Sequence, residues 1–187
     1  MRIILTGGIA SGKSTIAKEL LKYDISIIDS DKISKNIFTR NITKIQKMFA
    51  TDLKGDALRK YVGDIIFTSP KMRFQLESFM HPKIKNIIKK RERELKGKKY
   101  IIDIPLYFET KSFMEDDDFV ILVSIPYKDQ VERLMRRNNL TKEEANKRII
   151  AQLPTAIKER KSDYIIENMG TIDELKSKVN NLVNKIL

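Results

Sequence analysis

Five short runs of mostly apolar residues, at 3–6, 25–29, 100–104, 119–124 and 164–166, stand out along the chain. Each is strand-length, and near-continuous apolar character is what a strand covered by helices on both faces of a parallel sheet shows. Between these runs the apolar positions recur at three- and four-residue spacing, the period of a helix with one buried face. That pattern predicts helices around 33–49 and 58–67, another starting after Ser69-Pro70, and one over 82–95 that begins at Pro82. Pro126-Tyr127-Lys128 opens a helix to about Asn139. Thr141 and Glu144 have capping-box spacing for a helix from Lys142 to about Leu153, which Pro154 stops. A last helix follows Gly170-Thr171, with Ile172, Leu175, Val179, Leu182 and Ile186 as a stripe against the sheet.

About seventy residues separate the second run from the third, far more than one crossover helix needs. Residues 32–98 therefore form a helical insertion, placed where parallel sheets receive their substrates, beyond the carboxyl ends of the strands. At 187 residues, with no repeat or low-complexity tract, the expectation is a single α/β domain, 1–187, with this insertion as an appendage.

The first strand runs into Gly7-Gly8-Ile9-Ala10-Ser11-Gly12-Lys13-Ser14-Thr15, and a helical pattern follows at once. Strand, glycine-rich turn and helix in this spacing form a phosphate-binding loop, with polyphosphate held at the helix N-terminus. Gly7 and Gly12 allow the backbone to approach closely, and the residues from Gly8 through Thr15 wrap the phosphates of ATP. Lys13 supplies positive charge to the β and γ phosphates, Ser14 offers a hydroxyl to Mg²⁺, and Thr15 adds a second hydroxyl towards the α-phosphate.

Composition narrows the classes. The chain has no Cys and one His, which excludes a disulfide framework and thiolate chemistry and argues against a zinc site. No apolar run reaches membrane-spanning length, and Met1-Arg2 leads straight into a strand without a signal-peptide pattern, so a cytoplasmic protein is expected. The formal charge of +12 fits either an anionic small substrate or nucleic acid. Much of the Lys and Arg lies on helical stretches such as Ile87-Ile88-Lys89-Lys90-Arg91-Glu92, where a solvated face accounts for it, and no basic–aromatic alternation marks a base-stacking surface. The absence of long heptads and broad apolar surfaces points to a monomer.

The element order fits a P-loop kinase of small molecules. A guanine-specifying Asn-Lys-x-Asp segment is absent, as is the Ser-Gly-Gly-rich signature of transporter ATPases. Instead, Ile27-Ile28-Asp29-Ser30-Asp31 ends a strand in two spaced carboxylates. For phosphoryl transfer to a hydroxyl, Asp31 is the candidate base, while Asp29 either assists through a metal-bound water or caps the helix beginning at Lys32. Asp103, inside the third strand, is a candidate Mg²⁺ contact; if buried, it needs a metal-bound water or a P-loop hydroxyl as partner.

With these residues in place the chain resembles the dephospho-coenzyme A kinase family. The resemblance rests on the phosphate loop and Ile28-Asp29-Ser30-Asp31, then Gly55-Asp56-Ala57-Leu58-Arg59, His81-Pro82-Lys83-Ile84 and Pro105-Leu106-Tyr107-Phe108-Glu109. It continues through Gln130-Val131-Glu132-Arg133-Leu134, Arg148-Ile149-Ile150-Ala151-Gln152, Lys161-Ser162-Asp163-Tyr164 and Ile166-Glu167-Asn168, in family order over nearly the whole chain.

The resemblance implies a P-loop nucleoside triphosphate hydrolase fold with a five-stranded parallel sheet. It also implies transfer of the γ-phosphate of ATP to the ribose 3′-hydroxyl of dephospho-coenzyme A. In that setting Asp31 and Lys13 match catalytic positions, the insertion receives dephospho-coenzyme A, residues 128–161 carry the lid, and Asn168 lies near the adenine of ATP. Arg137 matches the lid arginine, and with Arg133 and Arg136 it can converge on phosphate from one helix face. Arg59, His81 and Glu109 fall on the acceptor side, each with a bland counterpart: a solvated arginine, a structural histidine and a surface ion pair. Two positions depart from the family pattern, Asn138 where Asp is common and Asp103 where an apolar residue is usual. The competing functions are another nucleoside or nucleotide kinase, or a basic nucleic-acid-binding ATPase.

Overall fold

The computed structural model describes residues 2–186, with side chains through Lys185. Its centre is a five-stranded, all-parallel sheet of β1 (Arg2–Gly7), β2 (Ser26–Asp29), β3 (Tyr100–Asp103), β4 (Asp118–Ser124) and β5 (Tyr164–Glu167), ordered β2-β3-β1-β4-β5. The five apolar runs are these five strands. The inner strands β1, β3 and β4 are buried through their middles because helices must cross over between parallel neighbours, whereas the edge strand β5 leaves Ile165 40% exposed.

The helices are α1 (Lys13–Leu20), α2 (Ser30–Arg40), α3 (Ile42–Met48), α4 (Gly55–Thr68), α5 (Pro70–Glu94), α6 (Tyr107–Thr110), α7 (Tyr127–Asn138), α8 (Lys142–Ile150), α9 (Thr155–Arg160) and α10 (Ile172–Ile186), with one 3₁₀ turn at Leu21–Tyr23. The chain forms two compact units. One comprises residues up to Asp29 and from Glu94 onward, and the other is the helical segment Ser30–Arg93.

In the sheet-bearing unit, Ile3, Leu5, Ile101, Ile121, Val123 and Ile166 present one sheet face to Ile16 and Leu20 of α1 and to Leu175, Val179 and Leu182 of α10. Alternation along each strand puts these residues on the same side. The α10 stripe thus holds from Leu175 to Leu182, but Ile172 departs from it: at the first helical position its side chain is 67% exposed. The side chain of Ile186 lies outside the described residues.

Four other expectations change. The pattern over 33–49 is two helices, because Asn41 interrupts it: its side-chain amide donates to the Ile37 carbonyl at 2.7 Å, competing with the helical ladder. The first of these helices starts at Ser30, so Asp31 lies in its first turn. Pro82 does not begin a helix but sits inside the 25-residue α5. Leu76, Met80, Ile84 and Ile88 are buried at four-residue spacing across it, and that continuous stripe outweighs the one ladder bond that proline cannot donate. Finally, α8 ends at Ile150 and Pro154 precedes a helix absent from the sequence reading, α9, where proline's fixed φ suits a helix entrance. The capping box is present, with Glu144 N–H donating to Thr141 Oγ1 at 3.2 Å and Thr141 N–H to Glu144 Oε2 at 2.8 Å.

Candidate active site

At the carboxyl end of β1 the chain leaves the sheet level with Val123 of β4 and turns back on itself. The Ser11 N–H donates to the Gly8 carbonyl at 3.1 Å, Ala10 adopts φ +60° and Gly12 φ +88°. A non-glycine residue held at positive φ is costly, and such strain collects where a loop must present its N–H groups to a ligand. Gly12 is required twice over: a Cβ there would lie 2.0 Å from Nδ2 of Asn168. Helix α1 begins one residue later, and the N–H groups of a helix's first turn, left without i−4 carbonyls, are where an anion is held; the Thr15 N–H is taken by the Gly12 carbonyl at 2.9 Å. Ser14 and Thr15 are exposed on that first turn.

Lys13 Nζ is paired with Oδ1 of Asp103. Asp103 closes β3, level with Leu5 of β1 and Asp29 of β2, and it is 7% exposed. The loop lysine is thus one of its partners, a residue the expectation drawn from the sequence had not named for this role. A buried carboxylate is tolerable next to this ammonium. Oxygen donors from Asp103 and Ser14 are the chemistry that Mg²⁺ takes, and among the described residues there is no cluster of three acids, His or Cys that would hold a metal without phosphate ligands.

Asn168, just past β5, ties the sheet to the loop. Its backbone N–H donates to the Ser124 carbonyl at 2.8 Å and its side-chain amide to the Ser11 carbonyl at 2.7 Å. Arg133 of α7 closes the same corner, Nη2 donating to the Asn168 carbonyl at 3.0 Å. Arg137, one turn further on, is exposed and donates through Nε to Oδ1 of Asn138 at 2.9 Å. Asn138, one of the departures from the family pattern, thus orients the arginine without pairing its charge.

Two glutamines hold the front of the loop. Gln152 Oε1 accepts from the Ile9 N–H at 2.9 Å, and Gln130 Nε2 donates to the Ile9 carbonyl at 2.7 Å. From sequence, Gln152 stands with Arg148 on the second lid helix, with a solvated surface position as its alternative. Gln130 has no role of its own there, although it shares a face with Leu134 four residues on, and a polar residue on an apolar face is a signal. Ile9 and Ala10 pack against Val131, Leu134, Ala145 and Ile149 of α7 and α8. Behind this contact lies a cavity of about 480 Å³ lined by Gly8, Gln130, Gln152, Leu153 and Lys158.

Glu109 is turned into the same unit. Its Oε1 pairs with Nζ of Lys158 at 2.6 Å and accepts the Leu153 N–H at 3.1 Å. Lys158 is 2% exposed, so the surface ion pair considered from sequence is a buried one.

The helical unit carries the other candidates. Asp31 is exposed in the first turn of α2, where a carboxylate is favoured by the helix dipole. Arg59 of α4 donates to Thr39 Oγ1 at 2.8 Å and lies 5.7 Å from the ring centre of Phe38, so both its charge and its plane are engaged by α2. His81 sits mid-helix in α5, half-buried; burial holds its pKa below the usual imidazole value, with Glu77 pulling it up and Lys85 pushing it further down.

Comparison with known proteins places this arrangement in company. The dephospho-CoA kinase family model matches residues 1–174. The chain is similar to dephospho-CoA kinases of Staphylococcus aureus (strain bovine RF122 / ET3-1), 34% identical over 97% of this chain and 91% of that protein. A Staphylococcus saprophyticus dephospho-CoA kinase is 36% identical over 96% and 90%. Among solved structures it resembles TT1252 from Thermus thermophilus, with a TM-score of 0.87, 25% identity and coverage of 100% and 98% of the two chains. It also resembles dephospho-CoA kinase from Campylobacter jejuni, with 0.75, 29%, and coverage of 99% and 96%.

Proposed function

The chain belongs to the dephospho-CoA kinase family and catalyses the last step of coenzyme A synthesis, and from that premise we propose how its own residues divide the work. Phosphoryl transfer needs the acceptor hydroxyl aligned, its proton removed and the charge on the moving group neutralised. Asp31 accepts the proton of the ribose 3′-hydroxyl of dephospho-coenzyme A. The oxygen then forms its bond to the γ-phosphorus of ATP as the bond to the β-phosphate oxygen breaks, and ADP leaves with that electron pair.

Gly8, Ile9, Ala10, Ser11, Gly12, Ser14 and Thr15 seat the phosphates, and Lys13 exchanges Asp103 for the β and γ oxygens when they arrive. Arg137 brings a second charge from α7 to the transferred group. Asn168 borders the adenine, and Arg59 and His81 serve the acceptor. Glu109 holds the segment leading into α9. Ser14 and Asp103 have the oxygen donors to hold Mg²⁺, which when bound neutralises phosphate charge.

The observation that carries this assignment is the loop itself: a strained turn feeding α1, with the lysine poised on a buried carboxylate. The charge of +12 suits two polyanionic small substrates, and the working state is taken as a cytoplasmic monomer that needs no nucleic acid. In the test, Asp31→Asn lowers kcat by about 10²- to 10⁴-fold with ATP affinity retained. Arg137→Ala lowers kcat more than it weakens ATP. A fall in ATP affinity equal to the fall in turnover removes the corresponding role.

A further inference from the structure

A phosphate loop has a structural problem of its own. Several of its N–H groups must be left for the ligand, so it cannot join a helix or sheet ladder, yet its remaining N–H and carbonyl groups still need partners. Here one peptide segment is gripped from both sides. The Ile9 N–H donates to Gln152 Oε1, two residues past α8, and the Ile9 carbonyl accepts from Gln130 Nε2 in the first turn of α7. Gln130 is 3% exposed, and both amides come close to the loop backbone: a Cβ on Gly8 would come within 2.8 Å of Gln130 Nε2 and 3.6 Å of Gln152 Oε1. The next residue, Ala10, carries the positive φ that aims the loop. Leu153, adjacent to Gln152, is in turn fixed by Glu109.

We propose that Gln130 and Gln152 are positioning residues for the transfer reaction: one as donor and the other as acceptor, they clamp Ile9 and hold the loop in its nucleotide-accepting shape. The proposal rests on the loop being the ATP site of the kinase. It assigns the two ends of the α7–α8 segment a task separate from that of its arginines. Neither glutamine touches a reacting atom.

The opposite hydrogen-bonding senses make the proposal testable with a matched pair. Gln152→Glu keeps an acceptor for the Ile9 N–H, whereas Gln130→Glu sets a carboxylate against the Ile9 carbonyl. Each adds one negative charge beside the same residue, so repulsion of ATP is common to both. Affinity is read by calorimetric titration with the non-hydrolysable β,γ-methylene analogue of ATP and Mg²⁺, without acceptor, so the result stands whatever the acceptor proves to be. Gln130→Glu and Gln130→Met are expected to weaken binding about tenfold or more, and Gln152→Met about tenfold, while Gln152→Glu stays within about threefold of the parent chain.

In acceptor-dependent turnover, KM for ATP rises in the weakened variants and KM for dephospho-coenzyme A does not. Equal behaviour of the two Glu variants, or parental affinity in either Met variant, overturns the proposal. If the buried Gln130 variants do not fold, the contrast between Gln152→Glu and Gln152→Met decides it alone.

Discussion

Removing the Glu109 side chain should damage the fold more than any surface ion pair could. Lys158 Nζ lies 2.6 Å from Glu109 Oε1 with the lysine side chain 2% and the glutamate side chain 17% exposed. Glu109→Ala leaves an ammonium without its counter-ion in a place that water scarcely reaches, a change that costs about 3–5 kcal/mol when one partner of a buried pair is deleted. It also takes the acceptor from the Leu153 N–H, adding about 1 kcal/mol.

A total of about 4–6 kcal/mol is a large part of the roughly 5–15 kcal/mol by which domains are stable. Urea unfolding monitored by circular dichroism measures it, with Glu109→Leu combined with Lys158→Met as the control. That double variant removes both charges and fills the site with apolar side chains, so it should lie within about 1 kcal/mol of the parent chain. A single variant that costs under about 1 kcal/mol, or a double variant as unstable as the single, would refute the buried-pair account.

Two further outcomes follow from individual positions. Gly12→Ala should abolish nucleotide binding in a calorimetric titration, because the new Cβ meets Asn168 Nδ2 at 2.0 Å and the residue must hold φ +88°; parental affinity would contradict the close packing. The imidazole of His81, the only histidine of the chain, should titrate below about 6.5 by NMR. Because its folded pKa is depressed, the unfolded chain binds more protons between the two pKa values. Its contribution to stability is therefore present above the unfolded value and lost as pH falls through the folded one. An NMR titration at or above the ordinary value would show that burial does not govern it.

Features carried by local patterns were legible in the sequence. The five strands announced themselves as apolar runs, the phosphate loop by its spacing, and the Thr141–Glu144 box by two residues three apart. What escaped the reading was set by partners distant in the chain. Gln130 meets Ile9 across 121 residues and Gln152 meets it across 143, and Asn168 reaches Ser11 across 157. No window of sequence contains both members of such a pair.

Lys158 shows the same limit: a lysine between Ile157 and Glu159 reads as solvated until α6 supplies Glu109. Pro82 misled for a different reason, since the local rule for proline was correct but a buried stripe running through α5 outweighed it. The sequence puts Arg133 and Arg137 on one helix face but does not say which backbone they meet: Arg133 lies at the corner made by Gly12 and Asn168, the latter 35 residues further along the chain.

The central claim is that this chain moves a phosphoryl group from ATP to one particular hydroxyl. The most direct measurement incubates the purified protein with ATP, Mg²⁺ and dephospho-coenzyme A, follows ADP, and locates the added phosphate by mass spectrometry and NMR. ADP should form in step with a product phosphorylated at the ribose 3′ position, and little should form without the acceptor. ADP release that ignores dephospho-coenzyme A, or a phosphate found on another atom, would contradict the account.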